Sequence, residues 1–493
     1  MKHTELVENI EQIEDSYGYI HSITGELSRG GQGAVLKTRD DQILIKVALE
    51  KNAVVMDDSE NDEYDKLRIL PLPRGICVTM PLATLKGVQG YLMRMLEGMT
   101  PFSDYFDKFF EAGTQRSTAW IDNICPESRR YYVDYYSSGG ERKRLAAFLK
   151  SGLLLAELHA SGLVYCDYSG NNVFISKNSD FNNVWLIDSD NLNTEARSKK
   201  GLVFTPGIAP PELMRYLEEM NFGDSIPAEE RWGCGNTFAS DSFTYAVCLF
   251  KQLTLLHPYE GKLYNSDLAD CVDRTEIDAR RDRCEYPYIY DENDDSNYAE
   301  FFPYDFVLTE ELKKLFQQTF DELGKYYKWN RPTMYEWVNA VARAYDKCMR
   351  CPECGMDYVY SEDKGRICPW CDAKPYGILK LFSHYLENDE PGNIIWEYVH
   401  EISAIDSLDI PLRMLNGLVS EDVERSLVTI KTNNGQNTIC LADNGLALNM
   451  MFSNDGCNYN KANRVNFDND VFYVKFFDTD GKSLCLLRGE IFK

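Results

Sequence analysis

At 493 residues the chain is long enough for about three domains, and its 44% hydrophobic and 26% charged residues are those of a globular protein able to bury a core. A formal net charge of −26 with no Lys/Arg-rich block argues against a nucleic-acid partner, because such a surface repels phosphate backbones. No apolar run reaches the roughly 18–20 residues that span a bilayer. The start, MKHTELVENIEQIEDSYGY, has no apolar stretch after its charges, so neither a signal peptide nor a membrane segment is expected. The fifteen cysteines then suit a reducing, cytoplasmic setting rather than a disulfide framework.

In chain order, residues 1–21 are expected as a solvated helix or arm. Residues 22–98 read as a strand-rich lobe: ITGELSRGGQGAVLKTRDDQILIKVAL is two strands around a glycine turn and then a third. DSENDEYDKLRIL has helical spacing, and GICVTMPLATL and GYLMRML read as further strands. Residues 99–346 are mainly helical, led by ERKRLAAFLKSGLLLAELHASG with Gly162 at its stop. An acidic, tyrosine-rich stretch at about 260–305 reads as an exposed insertion and a possible docking site. Residues 347–375 hold a cysteine cluster. Residues 376–493 have a helical start and then alternating strand-like runs, a small β-rich domain of unreadable role.

The glycine loop SRGGQGAV, Ser28–Val35, allows backbone N–H groups to approach phosphate oxygens without a Cβ in the way. Lys46, in ILIKV, is mid-strand among apolar residues and needs a partner if buried. Glu63 on the following helix is the natural candidate, with Glu60 as the fallback. This order of glycine loop, strand lysine and helix glutamate resembles the small lobe of a eukaryotic-like protein kinase. The resemblance implies ATP as cofactor, held by Gly30, Gly31, Gly33, Val35 and Lys46. It also implies Met93 as gatekeeper and Arg94, Met95 and Leu96 as the hinge. Ser28 replaces the usual first glycine.

Downstream, VYCDYSGNNVFIS resembles the kinase catalytic loop. Asp167 matches the catalytic aspartate that orients the acceptor hydroxyl, and Asn172, five residues on, matches a ligand of Mg²⁺ or Mn²⁺. Tyr165, Cys166 and Ser169 replace the usual histidine, arginine and lysine. Without the arginine, gating by a phosphorylated activation loop is not expected. Asp188, in VWLIDSDNL, matches the second metal ligand, with Ser189 and Asp190 in place of Phe and Gly. FTPGIAPPEL resembles the end of an activation segment, and Thr205, seven residues before Glu212, matches the threonine that reaches the catalytic aspartate. Asp241 matches a helix anchor, and Glu212 and Arg331 match the family's buried ion pair.

Two thiol pairs, Cys351/Cys354 and Cys368/Cys371, lie thirteen residues apart, the spacing of a zinc ribbon with a structural Zn²⁺. Cys348 is a possible rival ligand. The fold class expected is thus α+β: a bilobal protein-kinase-like fold, a zinc ribbon and a small β-rich domain. The motifs resemble bacterial kinases of tellurium-resistance and stress-signalling systems, which implies a protein substrate and, as partners, a von Willebrand A-type protein and a PP2C-type phosphatase. A nucleotide-binding pseudokinase scaffold and a small-molecule kinase remain alternatives to an active Ser/Thr protein kinase.

Overall fold

The computed structural model describes residues 4–30, 33–107, 126–176, 183–194, 203–222, 235–270, 273–299, 303–362, 367–387, 389–402, 405–420, 425–433, 436–443 and 445–492. Its first part is a curled eight-stranded sheet of β1 (Thr4–Glu5), β2 (Gln12–Glu14), β3 (Ile20–Arg29), β4 (Gly33–Thr38), β5 (Ile43–Glu50), β6 (Ala53–Val55), β7 (Ala83–Thr84) and β8 (Gly90–Arg94). The order is β1-β6-β5-β4-β3-β2, with β8 bonded to β5 and β7. Alternation sets the faces of β5: Ile45 and Val47 point into the lobe core, and Lys46 points to the opposite face. Val35, Lys46 and Tyr91 lie directly across from one another on three neighbouring strands, so they share that face.

The first residues depart from the expected solvated helix or arm. β1 pairs with β6 and β2 with β3, and Val7, Ile10 and Ile13 are buried in the lobe core. Three apolar side chains at this spacing gain more from that core than from water. One short helix, α1 (Asp62–Leu67), follows β6. The expected strand GICVTMPLATL is mostly irregular, reduced to β7 and two isolated bridges, Val78 to Leu186 and Leu85 to Asp15.

β9 (Met99–Pro101) carries the chain into a helical lobe of α2 (Pro126–Ser137), α3 (Gly140–Ala160), α4 (Pro211–Phe222), α5 (Phe238–Thr254), α6 (Lys262–Asp270), α7 (Arg274–Asp282), α8 (Tyr304–Val307), α9 (Glu310–Phe320), α10 (Glu322–Tyr326) and α11 (Met334–Lys347). Between α3 and α4 lie β10 (Leu163–Val164), β11 (Val173–Ser176), β12 (Val184–Leu186) and β13 (Asn193–Thr194). β11 pairs with both β12 and β9. Helix α3 is buried along much of its length, through Leu145, Phe148, Leu149, Leu155 and Leu158 among others. Thr237 caps α5, and Thr333 with Glu336 forms a capping box on α11. Among the described residues no helix is long and apolar enough to cross a membrane.

The tyrosine-rich stretch is not an exposed insertion. Tyr264, Tyr286, Tyr288 and Ile289 are buried in the main core, and the Asn297 amide donates to the carbonyls of Tyr259 and Pro287. The Tyr288 ring packs edge-on against Phe250, while acids such as Glu276, Glu292, Asp294 and Asp295 stay exposed. Arg331, with a fully buried side chain, grips Glu212 with two hydrogen bonds of 2.9 and 2.8 Å and also donates to the carbonyl of Gly324.

After α11 the strands β14 (Cys348–Arg350) and β15 (Asp357–Val359) form a hairpin against the start of α3. There Asp357 accepts from the backbone N–H of Arg142 at 3.1 Å. A Cβ on Gly140, whose φ is +68°, would lie 2.4 Å from that carboxylate, so glycine is required. The last domain comprises β16 (Ile378–Glu387), β17 (Glu390–Glu401), β18 (Ile405–Pro411), β19 (Ser426–Asn433), β20 (Gln436–Leu441), β21 (Asn449–Ser453), β22 (Asn460–Lys461), β23 (Arg464–Phe467), β24 (Val471–Phe477) and β25 (Ser483–Phe492). Its sheets run β17-β16-β25-β24-β21-β22 and β18-β19-β20-β23. The expected helical start is the β16–β17 hairpin, because β16 pairs with the distant β25. Asp346 of α11 fastens this domain to the helical lobe: it accepts from Arg413 at 2.6 Å and from the Trp396 indole at 2.7 Å, all three buried.

The Arg331 guanidinium, against the upward push of burial, holds the Glu212 carboxyl below its usual value. For an acid depressed in the folded state, the stabilisation is complete above the unfolded pKa of about 4.3 and is lost as pH falls through the folded value. Glu212→Gln should therefore cost about 3 kcal/mol at neutral pH by leaving Arg331 buried without its partner. Urea unfolding should show that gap closing below about pH 4.

Candidate active site

The site is built where the sheet lobe meets the helical lobe. After β10, residues Tyr165–Asn172 form a loop whose start is held by the buried Asp241 of α5. Its carboxylate accepts from the N–H of Tyr165 at 2.7 Å and of Cys166 at 2.9 Å, and lies 3.0 Å from His159 Nε2. Cys166 has φ +74°, a conformation disfavoured for a side-chain-bearing residue and held by these bonds. Asn236 adds a donor to the Cys166 carbonyl at 3.2 Å. The buried Tyr165 hydroxyl donates to the Ile187 carbonyl, tying the loop to the strand that precedes Asp188.

This framework presents Asp167. Its Oδ1 accepts from the Thr205 hydroxyl at 3.0 Å and its Oδ2 from the Asn172 amide at 2.8 Å. Three expected site residues thus meet at one carboxylate. Burial pushes the Asp167 carboxyl above the ordinary aspartate value, while the bonds from Thr205 and Asn172 pull it back. The β11–β12 hairpin brings Asn172 and Asp188 to one end, where the Ile187 N–H donates to the Asn172 carbonyl at 2.9 Å. Asp188 has φ +61°. Burial also raises its carboxyl, against the pull of Lys46.

Lys46 does not pair with Glu63. Its Nζ bonds Asp188 and lies 3.0 Å from both oxygens of Asp190. Burial alone would lower the Lys46 pKa, but the charges of Asp190 and Asp188 hold it above its ordinary value. Glu63 faces outward, about half exposed, and bonds Lys66 at 2.5 Å. The fallback Glu60 accepts from Gln89 at 2.9 Å. The face of α1 toward the cleft carries Tyr64, whose ring packs 4.9 Å from that of Tyr91. Among the described residues of the cleft, Asp167, Asp188 and Asp190 outnumber the Lys46 charge. That donor set, with the Asn172 amide oxygen, suits a divalent cation with oxygen ligands.

The glycine loop lies at the β3–β4 turn, where the Gly30 N–H donates to the Gly33 carbonyl at 2.8 Å. A Cβ on Gly33 would meet the Val47 carbonyl oxygen at 2.9 Å, so this glycine also permits close strand packing. Gly31 lies outside the described residues. Met93 is across from Leu44, and Arg94 ends β8. The N–H of Met95 is already given to the Gln42 carbonyl at 2.9 Å, and Leu96 follows, partly buried. The sequence reading missed Asn236 and the tie of His159 to Asp241. Neither sits in a local motif.

The four cysteines Cys351, Cys354, Cys368 and Cys371 bring their Sγ atoms within 4.8 Å of one another, with pairs at 3.7 and 3.8 Å. Four thiolates about 2.3 Å from one zinc have edges of about 3.8 Å, so the cluster fits a tetrahedral ion. Two similar knuckles shape it: the N–H of Gly355 donates to the Cys351 carbonyl, and that of Asp372 to the Cys368 carbonyl. Cys348 lies on β14, outside the cluster.

No protein-family model matches the chain, and no curated protein matches its sequence. Among solved structures, the crystal structure of a rhoptry kinase from Toxoplasma gondii is similar with a TM-score of 0.39 and 15% identity, over 66% of this chain and 79% of that one.

Purified chain should carry close to one zinc by elemental analysis. A strong chelator, or Cys354→Ser, should lower the melting temperature by several degrees, since binding energy at such a site is folding energy. A chain that stays metal-free after refolding with zinc would contradict the site.

Proposed function

We propose that the chain is an ATP-dependent phosphotransferase of the protein-kinase kind, acting on serine or threonine hydroxyls of a protein. The carrying observation is the convergence of Thr205 and Asn172 on Asp167, beside a cleft containing Lys46 and Asp188. Asn172 and Asp188 would hold Mg²⁺ or Mn²⁺, and Gly30, Gly33, Val35 and Lys46 would hold ATP. The metal supplies charge neutralisation for the phosphate oxygens.

Asp167 orients the acceptor hydroxyl and takes its proton. Burial makes this carboxylate more basic, which suits that role. Thr205 fixes one of its oxygens and favours a protein substrate over a metabolite. The Tyr165 hydroxyl ties the loop to the Asp188 segment, where the family uses histidine. Ser169 supplies no cation to the transferred phosphate, which predicts slow chemistry. With Cys166 in place of arginine, activity is independent of a phosphorylated activation loop. The resemblance to stress-system kinases supports a von Willebrand A-type partner, a PP2C-type phosphatase counterpart and a cytoplasmic setting. A nucleotide-binding scaffold is the second reading, favoured by the engagement of Lys46 with two carboxylates.

Transfer of labelled γ-phosphate from ATP with Mg²⁺, to the chain itself or to a basic protein, separates the two. Asp167→Asn and Asp188→Asn should each reduce transfer roughly 100-fold or more. Intact ATP binding with no transfer, alone or with added partners, would favour the scaffold.

A further inference from the structure

We propose that Asp190 is the positioning residue that holds Lys46 toward the nucleotide phosphates, in the place a helix glutamate would take. The cleft then assembles without any movement of α1. This deepens the phosphotransferase reading and rests on it.

Both Asp190 oxygens lie 3.0 Å from Lys46 Nζ, a symmetric grip on a side chain that is only 17% exposed. A mostly buried ammonium needs such a partner. Asp188 also touches Lys46, but Asp188 is the residue placed to bind the metal. If Asp188 turns to a divalent cation, Asp190 is the carboxylate that stays with the lysine. The chain geometry allows this division: Asp188 takes the positive φ of the segment, and Asp190 sits in the single 3₁₀ turn Ser189–Asn191 that follows. The Asp190 position therefore does not require the glycine usual in kinases.

Helix α1 cannot supply the carboxylate as it stands. It is six residues long, and its Glu63 points to water and Lys66. Tyr64 of α1 packs on Tyr91, the residue across from Lys46 on β8. The hydroxyl of the buried Tyr91 lies 3.5 Å from Asp190 Oδ1. A glutamate swinging in from α1 would have to displace this aromatic pair. In kinases whose lysine depends on a helix glutamate, helix position is a switch. Here the lysine's partner comes from the metal-binding segment itself.

Two measurements test this. The first uses nucleotide-free full-length protein and thermal melting of Lys46→Met, Asp190→Asn and the double variant. Asp190→Asn should lower the melting temperature in the Lys46 background and have little further effect once Lys46 is Met. The same cycle with Glu63→Gln should be additive. The second measures ATP dissociation constants and the KM for ATP. Asp190→Asn should weaken both at least tenfold, Asp190→Glu should recover part of the loss, and Glu63→Gln should stay within twofold. Absent coupling between Lys46 and Asp190 in a wild type that binds and transfers phosphate would overturn the role of Asp190 and leave the phosphotransferase reading standing. Coupling present in a wild type that binds no ATP would overturn both.

Discussion

A single buried carboxylate, that of Asp241, fixes the loop on which the site depends. Two consecutive backbone N–H groups, of Tyr165 and Cys166, point at it from the loop, and His159 approaches from α3. A charge-assisted acceptor of this kind is stronger than a neutral one and, inside the protein, can hold a backbone in a disfavoured conformation. The positive φ of Cys166 is that conformation, and it turns the next residue, Asp167, into the cleft. Without Asp241, two N–H groups would be stranded in the interior, and the direction of Asp167 would have no fixed support.

Around that anchor the helical lobe is braced from outside by the segments after it. Asp357 of the cysteine-bearing hairpin satisfies an N–H at the start of α3, the helix that ends at the loop. Asp346 of α11 joins Arg413 and Trp396 of the β-rich domain in a buried group of charge and indole. These contacts make the ribbon and the last domain parts of one packed body with the lobe that carries Asp167. Metal loss from the four thiolates would therefore be felt at α3, through the hairpin that packs on it.

The unusual residues near the cleft follow a pattern of exchanged partners. Tyr165 reaches the Ile187 carbonyl with a hydroxyl, and Asp190 meets Lys46 from the segment after β12. Tyr64 of α1 packs on Tyr91. The site keeps its charges in register by drawing them from other elements than the resemblance implied, which explains how a divergent sequence can still assemble Asp167, Asn172 and Asp188 together.

What lies within a short reach of chain was legible from the residues alone. The cysteine pairs, the five-residue step from Asp167 to Asn172 and the glycine turn are local, and their geometry follows from one loop or hairpin. The ordered motifs also put Thr205 with Asp167 and Glu212 with Arg331, and the structure brings each of those pairs together. The partner of Lys46, by contrast, was set by long-range packing. Several acids were available along the chain, and the choice went to those the fold carries within 4 Å. Distant contacts also decided that residues 4–14 join the sheet, that the tyrosine-rich stretch is largely buried and that Ile378–Glu387 and Glu390–Glu401 are strands. In each case the deciding contact is with a segment far away in sequence. Local composition sets a preference, but burial against a distant surface contributes more free energy and overrides it.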